Sequence, residues 1–344
     1  MYENNSQASI LYERMKALKV PPPLPPAEDP VEQALTPKEL IKFIRKAGYT
    51  GQDKAVRTAA LIIHRHYSGC PSVNLFCGPT GSGKTEIWRL LAREFSNVHI
   101  YDSSMLTNEG WRGGCKISTI LSSLPPIHRE HSILVFDEFD KLLEPKMSSE
   151  MNITDALQNE LLKLFDHDTL FFGADRPGDT SMTVDCSKVS IVLLGAFENM
   201  MKAKTRAGVS IGFGGKQARD ISYGTVEITV QDLLKYTAMR PEIAGRIDRI
   251  VSMTPLTDCD YFRILLHHID DVGKRTGKSI TFHPAVLHPI CQQAIETGLG
   301  ARWAIHRVDA MIDDMLFDNP FDYSYFCSNE TDDNETERPV TEND

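Results

Sequence analysis

Short apolar runs separated by amphipathic stretches set the rhythm of this chain. From Val73 to Cys77 an apolar run enters a glycine-rich turn, and from Lys84 to Phe95 apolar and polar positions alternate at helical spacing. That predicts a strand, a loop and a helix in succession. Further short strands are predicted at Val98–Tyr101, Ile133–Phe136, Val189–Leu194 and Ile250–Met253, with helical stretches between them to serve as crossovers. The fold class predicted is α/β, a doubly wound parallel sheet. Its beginning is marked near Thr36, where a capping-type Thr precedes Pro37 at the first helical position and Glu39 lies in the first turn. Beyond Pro255 the pattern changes to helices at Asp258–Thr276, Pro284–Thr297 and Ala301–Phe317, with one brief strand at Ser279–Phe282.

Four segments follow: 1–35, a short amphipathic helix (Ser6 to Leu18) and a stiff proline-rich linker (Val20 to Pro26); 36–255, the large α/β domain; 256–327, a smaller helical lid; and 328–344, an acidic tail. That tail has almost no large apolar side chains to offset its ordering entropy, so disorder is expected there.

Composition narrows the function classes. A net charge of −10 over 344 residues gives no general electrostatic footprint for DNA or RNA, which argues against nucleic acid as the partner. Seven cysteines are scattered without a Cys-x-x-Cys pair, which argues against a zinc ribbon or a disulfide framework. Most are expected to be plain buried thiols in a reducing cytosol. No cationic, apolar leader opens the chain, and runs such as Ala59 to Ile63 are far shorter than the roughly 20 residues that span a bilayer. A cytoplasmic protein with no membrane segment is expected.

The candidate chemistry lies in two places. Gly78-Pro79-Thr80-Gly81-Ser82-Gly83-Lys84-Thr85 fits the phosphate-binding P-loop pattern throughout and sits between a predicted strand and a predicted helix. Its glycines let backbone amides wrap phosphates, Lys84 brings a point charge to the β and γ phosphates, and the Thr85 hydroxyl suits a Mg²⁺ ligand. About fifty residues on, the apolar run Ile133 to Phe136 ends in Asp137 and Glu138, on a strand expected beside the P-loop strand. Asp137 would hold the metal and Glu138 would orient and activate a water, so hydrolysis is expected as well as binding. Asp140 and Lys141 are read as structural neighbours.

Together with Tyr49-Thr50-Gly51-Gln52-Asp53-Lys54-Ala55-Val56, these motifs give the chain a resemblance to the ClpX family of AAA+ unfoldases, which feed the ClpP peptidase. It runs to about Phe317 and takes in Glu160-Leu161-Leu162-Lys163-Leu164, Gly195-Ala196-Phe197, Pro241-Glu242-Ile243-Ala244-Gly245-Arg246 and Gly300-Ala301-Arg302. The resemblance implies ATP as the nucleotide, with Tyr49 and Thr50 in place of the two aliphatics that flank adenine; a stacking Tyr there leaves GTP open. It implies that Arg246 is an arginine finger reaching a neighbouring subunit's γ-phosphate, and that Arg302 senses nucleotide at the lid. Function would then need a homo-oligomeric ring, a hexamer by resemblance, acting on protein substrates.

In the same way, Trp111 between Gly110 and Gly113 stands where the family carries a substrate-gripping aromatic, usually Tyr, and Arg112 departs from its small apolar neighbour. Glu144 to Thr154 would form a second pore loop. Ile211-Gly212-Phe213 matches the tripeptide with which the family docks on ClpP. Two features depart from the pattern: the four-cysteine zinc domain has no counterpart here, and a basic loop is replaced by Phe172 to Asp179, with one Arg and two acids. Three activities follow in order: an unfoldase delivering chains to a ClpP-like peptidase, a peptidase-independent remodelling ATPase, and a nucleic-acid motor or loader.

Overall fold

The computed structural model describes residues 35–107, 115–143, 147–148, 151–173, 181–208 and 227–328. The expected N-terminal helix and linker, the pore residues Trp111 and Arg112, the docking tripeptide Ile211 to Phe213, much of the second pore loop and the tail from 329 lie outside the described residues.

Five strands form the central sheet: β1 (Val73–Cys77), β2 (Val98–Asp102), β3 (Ile133–Asp137), β4 (Ser190–Gly195) and β5 (Arg249–Ser252). Their order is β2-β3-β4-β1-β5, and all are parallel. Every residue of β1 and β4 is buried, as expected for strands covered on both faces and read as continuous apolar runs. The expectation that β3 lies beside the P-loop strand is corrected: β4 stands between them, with Ile191 registered against Val73 on one side and Leu134 on the other. Burial accounts for this order. β4 is apolar along most of its length and takes the enclosed place, while β2, partly exposed beyond Val98, takes an edge.

The helices that matter for the site are α1 (Pro37–Lys46), α2 (Asp53–Tyr67), α3 (Lys84–Glu94), α4 (Ile153–Phe165) and α5 (Glu198–Gly208). Thr36 and Glu39 close a reciprocal capping box at the start of α1, so the sequence signal at Thr36-Pro37 is realised in hydrogen bonds. One apolar cluster joins Leu75, Leu134, Phe136, Ile191 and Leu193 of the sheet to Leu157, Leu161 and Leu164 of α4. On α3, Trp88 is fully buried and meets Phe76 edge to face at 5.7 Å.

After Leu256 a second cluster forms from α6 (Asp258–Thr276), α7 (Pro284–Thr297) and α8 (Gly300–Asp318), centred on Leu265, Leu287, Cys291 and Val308. The predicted strand β6 (Ser279–Phe282) pairs in parallel with a strand the sequence reading did not anticipate, β7 (Ser324–Cys327). Lys278 makes that return possible by donating to the carbonyls of Pro320, at 3.0 Å, and Asp322. An antiparallel hairpin of Thr169–Phe172 with Met182–Asp185 was also unanticipated. The cysteines are less enclosed than expected: Cys77, Cys186 and Cys291 are buried, Cys115 and Cys327 partly so, and Cys70 and Cys259 are exposed. Among the described residues no helix is long and apolar enough to cross a membrane.

At the amino ends of β2, β3 and β4, opposite the P-loop, a buried polar network replaces apolar packing. His66 at the end of α2 places Nδ1 2.9 Å from Ser190 Oγ and Nε2 3.3 Å from the His131 carbonyl, which also accepts from Asn97 Nδ2 at 3.0 Å. Burial pushes the His66 imidazole down to about 4 from an ordinary 6.5. The folded state therefore keeps the ring neutral, while the unfolded chain takes up a proton near pH 6.5. Stability from this ring, fully present above pH 6.5, should be lost as the pH falls towards 4, by up to about 3 kcal/mol. Urea unfolding across that window should show the decline, and His66→Gln should flatten it.

Candidate nucleotide site

The carboxyl ends of β1, β3 and β4 open onto one cleft of about 1640 Å³, closed on its far side by α6 and α8. Parallel sheets bind ligands at this edge, where helix N-termini and strand ends converge. The loop after β1 turns through Gly81 at φ 78° and Gly83 at φ 89°, left-handed values that a side chain would resist. α3 then begins at Lys84 with its first amides facing the cleft. Lys84 is 9% exposed, and its Nζ donates to the carbonyls of Gly78 at 2.7 Å and Pro79 at 2.8 Å. Burial lowers its pKa below the usual lysine range, against the opposing pull of Asp140 and Asp137.

Thr85 Oγ1 donates to Asp137 Oδ2 at 2.8 Å, so the two side chains expected to share a metal already meet. Ser82 Oγ is buried within the loop and has no hydrogen-bond partner among the described residues. Such an orphaned hydroxyl suits a site that receives an oxygen-rich ligand. Thr80 Oγ1 donates to Glu198 Oε1, 3.2 Å away at the start of α5.

Glu138 is exposed on the cleft and has φ 53°, uncommon for a residue with a side chain; its amide donates to Asp137 Oδ1 at 3.0 Å. A 3₁₀ turn, Phe139–Leu143, follows and carries Asp140 back toward β4. There Asp140 Oδ2 accepts from the Phe197 amide at 3.0 Å, while Phe197 itself sits at φ 53°. Asp140 thus ties the ends of β3 and β4 together beside Lys84, a role the reading as a structural neighbour did not assign.

Tyr49 is 7% exposed, and its hydroxyl donates to the Gly83 carbonyl at 3.1 Å. Burial raises its pKa above the usual tyrosine range. The ring thus braces the P-loop at Gly83 and also lines the cleft. Arg45 shapes this segment by donating to the carbonyls of Tyr49, at 3.0 Å, and Gly51, at 2.7 Å, and by pairing with Asp53. Gln52, also left-handed at φ 52°, clasps the Thr254 backbone, and Thr50 Oγ1 lies 3.5 Å from the Asp260 carbonyl. Both sides of the cleft are therefore stitched through residues 49–52.

The lid meets the P-loop without side chains. A Cβ on Gly81 would lie 2.9 Å from the Gly300 Cα, and Gly300 has φ 79° at the start of α8. Arg302, in the first turn of α8, is exposed and lines the cleft. Arg246 does not line it. Its guanidinium forks onto Asp166 and donates to the Glu242 carbonyl at 2.6 Å.

Comparison with known proteins identifies the class of domain. A family model for the ATPase family associated with various cellular activities (AAA) matches residues 74–202, which run from β1 into α5. The chain is thus an ATPase with an AAA domain. It is 26% identical over 326 aligned positions, 83% of this chain and 77% of the relative, to the ATP-dependent Clp protease ATP-binding subunit ClpX of Treponema denticola. The corresponding subunit of Bacteroides fragilis is 26% identical over 312 positions, 78% of this chain and 74% of its own. These relatives and that domain fit a ClpX-like AAA+ ATPase.

Gly300→Ala adds a methyl 3.1 Å from the Gly81 Cα in a left-handed residue. It should push the lid off the P-loop and weaken nucleotide binding by about tenfold, roughly 1.4 kcal/mol. Titration with a fluorescent ATP analogue, on protein whose circular dichroism is unchanged, measures the effect.

Proposed function

We propose that this chain is an ATP-driven protein unfoldase or remodelling machine that works as a ring of identical subunits, a hexamer by its resemblance, in the cytoplasm. The observation that carries the reading is the separation of Arg246 from the cleft. Lys84, Thr85, Asp137 and Glu138 converge on one edge of the protomer, yet Arg246 lies outside that cleft, partly exposed and paired with Asp166, where the resemblance has it serve a neighbouring copy. Phosphoryl transfer relies on positioning and charge stabilisation, so a donor arriving from the next subunit couples turnover to assembly.

Within one pocket the roles divide by chemistry. The P-loop amides and Lys84 hold the phosphates, with Tyr49 bracing Gly83 from below. Thr85 and Asp137 are the protein ligands for Mg²⁺, whose fit is supported by their existing contact and by the orphaned Ser82 hydroxyl. Bound there, the cation would neutralise charge on the phosphate oxygens. Glu138, exposed and at a left-handed backbone position, would accept a proton from a water, and Arg302 would report nucleotide state to the lid. Trp111 and Arg112 would contact the translocating polypeptide.

Both relatives are named as subunits of an ATP-dependent Clp protease. Delivery to a ClpP-like peptidase through Ile211, Gly212 and Phe213 follows as the leading partnership. Remodelling without a peptidase is the second reading, favoured by the acidic replacement of the basic loop at Phe172 to Asp179.

Glu138→Gln should bind ATP with unchanged affinity and lower turnover at least about a hundredfold; normal turnover would remove the assigned base. Deleting Ile211 to Phe213 should abolish co-sedimentation with ClpP while leaving basal ATPase intact. Wild-type protein that fails to co-sediment with ClpP points to the peptidase-free reading.

A further inference from the structure

The middle of α4 and the residue just beyond its carboxyl end grip the segment that carries Arg246. Gln158, buried, donates from Nε2 to the Ala238 carbonyl at 3.0 Å and accepts from the Arg240 amide at 2.9 Å. Asn159 accepts from the Arg240 guanidinium. One residue beyond the helix, Asp166, its own amide bonded to the Leu162 carbonyl at 2.9 Å, receives Arg246 through both carboxylate oxygens: Oδ1 from Nε, and Oδ2 from Nη2 at 2.9 Å.

A guanidinium carries five N–H donors in a planar fork. Asp166 takes one from Nε and one from Nη2, and the Glu242 carbonyl takes one from Nη1. What remains is one N–H on each terminal nitrogen, on a side chain still 32% exposed. A free arginine loses side-chain entropy when it is fixed. In this protomer Arg246 is already held through its Nε edge, which leaves the two remaining terminal N–H groups for another acceptor.

We propose that Asp166 is the positioning residue of the trans-acting arginine: it holds Arg246 by its inner edge and aims the two remaining terminal N–H groups at the phosphate oxygens bound by the adjacent copy. The proposal rests on the reading of Arg246 as a group supplied to a neighbour's pocket. Asp166 touches neither nucleotide nor water; it acts through the geometry of Arg246. α4 is the frame, because Gln158, Asn159 and Asp166 fix the Arg246 segment at three points along it.

The test uses full-length protein and steady-state ATP turnover. Asp166→Ala should lower kcat by about tenfold or more while KM stays within about twofold, since the P-loop and Asp137 of its own pocket are untouched. Asp166→Asn, which keeps an acceptor for Nε, should lose less and serves if the alanine variant does not fold. Mixing Asp166→Ala with Glu138→Gln subunits should raise turnover above the sum of the two alone, because the Glu138→Gln copies present an intact Arg246–Asp166 pair to pockets that can still hydrolyse. A kcat equal to or above wild type, or no gain on mixing, overturns the proposal. Arg246→Ala mixed with Glu138→Gln separates the two readings: a gain there without one for Asp166→Ala sinks Asp166 alone, whereas Arg246→Ala that turns over normally sinks the arginine in trans.

Discussion

A hydroxyl and a carboxylate that meet at 2.8 Å, Thr85 and Asp137, fix the architecture of the whole functional edge. They come from the first turn of α3 and the end of β3, and β3 is not adjacent to the strand that leads into α3. For the contact to form, β4 must sit between β1 and β3 in register, and the loop before α3 must turn through two left-handed glycines. The enclosed, apolar β4 satisfies the first condition and the P-loop sequence satisfies the second. Lys84, Asp140 and Glu138 then fall within one small volume because the backbone has no other course.

Local strain concentrates at the same edge. Among the described residues, four without glycine's freedom hold positive φ, and two of them, Glu138 and Phe197, flank the Asp140 carboxylate that joins β3 to β4. Each costs of order 1–3 kcal/mol, a cost the surrounding hydrogen bonds must offset. Left-handed backbone at Glu138 turns its side chain out of the strand direction and into the cleft. Rigidity in the sheet, with a buried polar seal at His66 on its other end, is what allows a carboxylate to be kept in that conformation.

Much of this was legible in the sequence. Strand, loop and helix around the P-loop, the helices of the lid and the capping box at Thr36 all depend on local pattern, and local pattern survives in the fold. Strand order was not legible, because the registers of β1 and β3 against β4 join residues far apart in the chain. The same distance hid Asp140 on Phe197, Gln52 on Thr254 and Asp166 on Arg246: each is an ordinary polar residue until a partner 57 to 202 positions away is brought to it. β7 escaped notice for a related reason, since four residues after a proline turn become a strand only when Lys278 holds the turn and β6 offers an edge. The bond from Tyr49 to the Gly83 carbonyl was hidden in the same way.

The bare contact between Gly81 and Gly300 has a mechanical meaning. Most domains in one chain lock through interdigitated side chains, so that sliding one past the other demands a jump between rotamers. Two backbones pressed together offer no teeth. A helical cap that turned here would meet no interlocked side chains at that point, and the stitches at residues 49–52 would serve as its axle.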